Sequence, residues 1–179
     1  MMLINAFMKT SVLPYLKGYK QMKENKILKL ILGITILLIL LDQMSKVVIQ
    51  YYYNEPIGND IIGITLIENT GMAFGFNSGN TKNIVLTLLI LFIIVNFIRN
   101  QKDRIDKKTA IAISLILAGG VSNLIDRIAR GGILDFIKIK HFAIFNIADC
   151  YIVIGWILLV IFLIKYNQEM VGKKDCEKP

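Results

Sequence analysis

Apolar residues gather into four long runs along the chain, separated by shorter segments that carry most of the charge. The runs fall near Ile27–Tyr51, Thr81–Ile98, Thr109–Ile125 and Phe142–Ile164. Each approaches the roughly 20 residues that a helix needs to cross about 30 Å of hydrocarbon, so the pattern predicts four membrane-spanning helices. Two connecting segments carry a different rhythm. Ile61 to Ile67 is rich in β-branched residues between Asn59-Asp60 and Glu68-Asn69. Ile133 to Lys140 follows Gly131-Gly132 and alternates, with Ile133, Asp135, Ile137 and Ile139 on one face and Lys138 and Lys140 on the other. Both read as short strands, able to form a small sheet on the outer membrane surface. Thr109 is the expected N-cap of the third helix, which should stop near Arg130-Gly131. The fold class is an all-α integral membrane protein: four transmembrane helices with a small extracytoplasmic β element.

Composition agrees, because 55% of the 179 residues are hydrophobic and only 19% charged, an apolar excess over soluble domains. The connections are too short to hold a second core. The chain therefore divides into an N-terminal extension (1–26), one four-helix membrane domain (27–165) and a C-terminal tail (166–179). The net charge of +8 raises nucleic acid as a partner, and its distribution argues against one. Six lysines lie at or before Lys29, five Lys or Arg lie from Arg99 to Lys108, and four lie from Lys165 onward. With four alternating helices these segments share one side, and the rule that short cytoplasmic loops are Lys/Arg-rich places both termini in the cytoplasm. Tyr52 to Asn80, on the other side, has no Lys or Arg, whereas Asp126 to His141 has Arg127, Arg130, Lys138 and Lys140, an exception that asks for a local cause. Met1 to Lys26 lacks the apolar run and small-residue site of a cleavable signal peptide and reads as a cytoplasmic tail against the anionic leaflet. Cys150 and Cys176 are too far apart in this topology to pair.

Ionisable groups inside membrane segments cost about 2.5–3.5 kcal/mol each on insertion scales, so each needs a partner or a task. Asp42 and Lys46 stand one turn apart in the order that favours an ion pair; Lys46 either snorkels from a structural pair or serves a site. In the third run Gly119, Asn123 and Arg127 recur every four residues with Asp126 beside them, giving a polar stripe that must face protein. Asp126 reads as a structural acid paired with Arg127 or Lys46, while Arg127 could hold carbonyl oxygens or orient a carboxylate. Asp135 lies on the apolar face of its strand, and Asp149 lies one or two turns into the fourth helix after Asn146. Two close carboxyls sharing one proton could hydrolyse a bond without metal, one taking a proton from water and the other hydrogen-bonding the carbonyl. The plainer alternative is that Asp149 pairs with a lysine such as Lys138 and Asp135 faces water. His141, the single histidine, has no ligand cluster around it and reads as interfacial. No serine or cysteine stands at a motif-like spacing from a base. Neither a metal nor a cofactor is expected.

Four blocks in order then carry a family resemblance: DQMSK at Asp42–Lys46, ENTGMAFGF at Glu68–Phe76, GGVSNLIDR at Gly119–Arg127, and ILDFI with FNIAD at Ile133–Ile137 and Phe145–Asp149. Together they resemble the bacterial lipoprotein signal peptidase family (signal peptidase II), over roughly Ile27 to Lys165. The resemblance implies an aspartic endopeptidase of the bacterial cytoplasmic membrane, with an outward-facing site and Asp135 and Asp149 as catalytic residues. Asp42, Lys46, Asn69, Gly71, Asn123, Arg127, Asn146 and Ala148 are implied to support the site or touch substrate, and Asp126 to be structural. It also implies diacylglyceryl-modified prolipoproteins as substrates, cut just before the modified cysteine, contact with membrane lipids, and inhibition by globomycin-type compounds. Met72 stands where the family more often has a second small residue. The rival class is a non-enzymatic polytopic protein, such as a small transporter or assembly subunit, whose acids line an ion path; a broken or repeated helix would favour it, and the sequence has neither. A membrane acyl- or phosphotransferase would call for a histidine or acid cluster that is absent from the sequence.

Overall fold

The structure is a computed structural model that describes residues 13–59, 61–71, 79–102 and 105–176. Its elements in chain order are α1 (Leu13–Tyr52), β1 (Ile57–Gly58), β2 (Ile62–Asn69), α2 (Asn80–Gln101), α3 (Lys107–Arg130), β3 (Ile133–Ile139), β4 (Ile144–Phe145) and α4 (Ile147–Cys176). Segments Glu24–Tyr52, Asn80–Gln101, Lys107–Arg130 and Ile147–Lys165 are each long and apolar enough to cross a membrane. Among the most apolar stretches of these helices, 61% of α3 is buried against 22% of α1 and 11% of α2 and of α4. Helix α3 is thus the axis around which the others pack, and this is why it carries the polar stripe. The others turn Leu32, Leu37, Val85, Phe92, Val153 and Ile157 outward, as helices solvated by lipid do.

The α3–α4 contact is close because each helix offers a glycine to the other's backbone. A Cβ on Gly119 would strike the Ala148 carbonyl and Ile152, and one on Gly155 would meet Ala112 O at 2.8 Å and Ile116 Cγ1 at 2.7 Å. Small residues that let helix backbones touch are what drive association where no hydrophobic effect acts between helices. At the chain-terminal end, Ile27, Ile31, Ile98, Ile105, Ala110 and Ile113 form a core cluster, and Lys102 pairs with Glu24 at 2.7 Å to tie α2 to α1.

The four strands form one antiparallel sheet in the order β1-β2-β3-β4, at the end of the bundle opposite the chain termini. Expectation and structure differ at several element ends: helix α1 begins at Leu13, within the segment read as an N-terminal tail, and α4 continues to Cys176, within the segment read as a C-terminal tail. The N-cap of α3 is Asp106, whose Oδ1 accepts from Thr109 N at 2.8 Å, so Thr109 lies inside the first turn. The fourth apolar run does not begin as helix at Phe142: Phe142 is 67% exposed, β4 follows, and α4 starts only at Ile147. Burial in β3 does not alternate at first, since Ile133 to Phe136 are all buried, both faces of that half-strand being covered. The α3 stop is as expected, with Gly131 left-handed at φ 86°, a conformation glycine adopts without steric penalty.

Candidate active site at the junction of sheet and bundle

Asp149 stands at the third position of α4, in its first turn, short of the one or two turns read from sequence. The reason is a reciprocal cap: Asp149 N donates to Asn146 Oδ1 at 3.0 Å, and Asn146 N donates to Asp149 Oδ2 at 3.2 Å. This satisfies two of the amides that every helix start leaves free. A third, Ala148 N, donates to Asp42 Oδ1 at 2.8 Å. Two carboxylates thus face the positive end of the helix.

Asp135 arrives from the sheet. Between Ile64 and Ile67 the β2 register shifts by one residue, so that Ile64 opposes Ile137 but Ile67 opposes Asp135. A one-residue bulge exchanges the faces beyond it; Asn69, opposite Ile133, comes to share a face with Asp135, and Asn69 Nδ2 donates to Asp135 Oδ2 at 2.9 Å. Asn146 Nδ2 donates to Asp135 Oδ1 at 2.7 Å, and Asn123 Nδ2 donates to Asp149 Oδ1 at 2.8 Å. All four oxygens of the two carboxyls therefore accept hydrogen bonds, and Asn146 joins the pair. Asp135 is 3% exposed and does not face water. Burial pushes its carboxyl up to about 6, with the nearby Asp149 charge acting in the same direction and the Asn69 bond opposing.

Beneath the pair lies a closed charge network. Lys46 is fully buried, as are Asp42 and Asp126, and its Nζ lies 2.7 Å from Asp42 Oδ2 and 2.7 Å from Asp126 Oδ2. The lysine does not snorkel, because two carboxylates hold it inside. Asp126 pairs with Lys46 rather than with Arg127, and it also accepts from Gln43 Nε2 at 3.1 Å. Ser122 Oγ donates to Asp42 Oδ2 at 2.6 Å. From the sequence, Ser122 reads only as a nucleophile lacking a base and Gln43 has no reading at all, although both sit within the quoted blocks at helical spacing from the acids.

Arg127 turns the other way. Its Nη2 donates to Gly71 O at 2.9 Å, while its Nε, in a residue only 8% exposed, has no hydrogen-bond partner among the described residues. Arg127 and Asn123 close the polar end of a cavity of about 180 Å³ between α2, α3 and α4, whose apolar walls include Leu91, Ile116, Ile152 and Trp156. Ala148 is buried in the α3–α4 contact. His141 is exposed in the turn between β3 and β4, at φ 60°. Met72 lies outside the described residues. Among the described residues no group of three or more His, Cys, Asp or Glu could hold a metal ion.

The chain is similar in sequence and fold to known proteins. Residues 34–165 match the family model described as signal peptidase (SPase) II. A lipoprotein signal peptidase of Halothermothrix orenii is 33% identical over 145 residues, covering 78% of this chain and 97% of that protein. One of Streptomyces coelicolor is 43% identical over 134 residues, covering 68% of this chain and 64% of its own length. A bacterial membrane enzyme structure determined by the in meso method matches with a TM-score of 0.69 and 32% identity, covering 78% of this chain and 90% of that one.

Proposed function

This chain belongs to the signal peptidase II family, and we propose that it removes signal peptides from diacylglyceryl-modified prolipoproteins with Asp135 and Asp149 as an aspartic dyad. The observation that carries the reading is that two acids from different elements converge on one asparagine, Asn146, where the sheet meets the bundle. In the reaction, the ionised member of the pair takes a proton from water as its oxygen attacks the scissile carbonyl. The protonated member donates to the carbonyl oxygen, and collapse of the tetrahedral intermediate breaks the C–N bond and returns a proton to the leaving amine. Close carboxyls share one proton because two adjacent negative charges repel.

The surroundings support the same substrate. The Nε–H of Arg127, unpartnered among the described residues, is suited to a carbonyl oxygen near the cut, and the apolar cavity beside it suits an acyl chain or signal-peptide side chain arriving through the bilayer. Asp42, Lys46 and Asp126 hold the floor, Asn69, Asn123 and Asn146 orient the carboxyls, and Gly71 anchors Arg127. A globomycin-type inhibitor is expected to compete for this space.

The test is cleavage of a diacylglyceryl-modified prolipoprotein by the purified protein in detergent. Asp135→Asn and Asp149→Asn should each lower the rate per folded molecule by about 10²–10⁴-fold, the range for lost acid–base groups, and the double variant should lose little more than either single one. Because every carboxyl oxygen accepts a hydrogen bond, each asparagine also sets its NH₂ against a donor, at about 1–3 kcal/mol, so melting curves must accompany the rates. Near-normal turnover in either single variant would remove that residue from the mechanism.

A further inference from the structure

Three asparagines border the two carboxyls, and an asparagine can turn either an acceptor oxygen or a donor NH₂ toward a neighbour. Here each is resolved by a group that can only donate. Gly71 N donates to Asn69 Oδ1 at 3.0 Å, Asp149 N to Asn146 Oδ1 at 3.0 Å, and Lys46 Nζ to Asn123 Oδ1 at 3.3 Å. A backbone N–H and an ammonium have no accepting state, so the flipped amide would set donor against donor. The far end of each amide is thereby committed: Asn69 and Asn146 donate to Asp135, and Asn123 donates to Asp149. For Asn69 and Asn146 the anchor is the local main chain. For Asn123 it is a side chain from another helix, and Asn146 Nδ2 reinforces it at 3.2 Å.

We propose that Lys46 is a positioning residue of the reaction: by donating to Asn123 Oδ1 it fixes that amide so that Nδ2 points at Asp149 and supports the negative charge of the dyad there. The proposal rests on the dyad reading above. A purely structural Lys46 needs only Asp42 and Asp126 and makes no demand on Asn123. The charged groups that face the dyad are Asp42 and Lys46 from α1 and Arg127 from α3; Asp126 acts on it through Lys46 and Arg127, and Glu68 of β2 is exposed. Removing Lys46 alters their field whatever Asn123 does, so the test must separate charge from amide direction.

A double-mutant cycle does so, read on the pH profile of kcat/KM of the purified protein with diacylglyceryl-modified prolipoprotein. The perturbation is the charge-balanced pair Lys46→Met with Asp126→Asn, which removes a cation and an anion together and avoids stranding a second buried carboxylate. It is made with Asn123 present and in an Asn123→Ala background, with melting curves for each. With Asn123 present, the pair should move the acid limb of the profile up by about one pH unit, as loss of a charge-assisted hydrogen bond requires. It should also lower kcat several-fold with KM within about twofold. With Asn123→Ala, the same pair should move the limb by less than half as much, the remainder being the direct field of Lys46 on the two carboxyls. Equal displacement in both backgrounds, or none with Asn123 present, overturns the proposal. Failure of the dyad reading itself shows elsewhere, as normal turnover in Asp135→Asn or Asp149→Asn.

Discussion

At the scale of one residue, the burial of Asp135 sets the ionisation of its carboxyl against the stability of the fold. Its folded carboxyl sits at about 6 against an ordinary value of 3.8. A group raised in this way binds its proton more tightly folded than unfolded, so its stabilising contribution is complete below 3.8 and is lost as pH rises through about 6. Thermal midpoints of the purified protein at pH 4, 5, 6 and 7 should therefore contain a decline that Asp135→Asn lacks. Parallel curves for the two proteins would show that burial of Asp135 is not felt as an ionisation penalty. The sequence made part of this residue-level picture legible. The i, i+4 pair Asp42–Lys46 and the buried stripe of Asn123, Asp126 and Arg127 follow from helical spacing and the expense of charge in lipid. The meeting of Asp135 with Asp149 does not. They stand on different elements, and what joins them is a helix cap and a β-bulge; the residue pattern raises the pair but leaves a water-facing Asp135 equally open, and the family resemblance is what favours the pair.

Between elements, the α3–α4 contact decides whether the site exists, since α3 brings Asn123 and α4 brings Asp149. A methyl on Gly119 would enter the Ala148 carbonyl, a rigid backbone atom one residue before Asp149, whereas a methyl on Gly33 of α1 meets nothing within 4 Å. Gly119→Ala should therefore lower both the thermal midpoint and the cleavage rate per folded molecule, because backbone must shift and the amide of Asn123 moves away from Asp149. Gly33→Ala should be neutral or raise stability by up to about 1 kcal/mol, the helix-propensity difference. Equal behaviour of the two variants in melting and cleavage assays would sink the idea that the close contact sets the site. Element existence was well marked by four apolar runs, one β-branched run and one alternating run, and their ends less so. Lys107-Lys108 drew attention from Asp106, the actual cap, and the apolar stretch Phe142–Phe145 concealed a turn and a strand, because hydropathy does not distinguish backbone buried in a sheet from backbone buried in a helix. The β2 bulge leaves no hydrophobic signature, since Thr65 and Leu66 fit a strand in either register.

For the whole molecule, the fold reduces orientation to one choice between two. Both chain-terminal helix ends and the α2–α3 connection lie at one end, and the sheet with the candidate site lies at the other. Tyr51 and Tyr52 are 78% and 71% exposed beside Ile57, Ile61 and Phe142 at the sheet end, a girdle of the kind that settles at the membrane–water interface. The terminal end carries Lys26, Lys29, Arg99, Lys102, Lys107 and Lys108. Of the basic residues that made the Asp126–His141 segment exceptional, Arg127 is buried on Gly71 O, and Arg130 lies within 3.6 Å of Asp126 and donates to Gln50 Oε1 at 2.6 Å. Those two charges are committed to the site rather than free to direct topology, which leaves the terminal end as the basic one and predicts that it faces the cytoplasm. A reporter active only in the cytoplasm, fused at Pro179, should give signal, and one active only outside should be silent at the same position. The reverse result from well-expressed fusions would turn the sheet and the two aspartates inward, away from the outer face where the proposed cleavage has to occur.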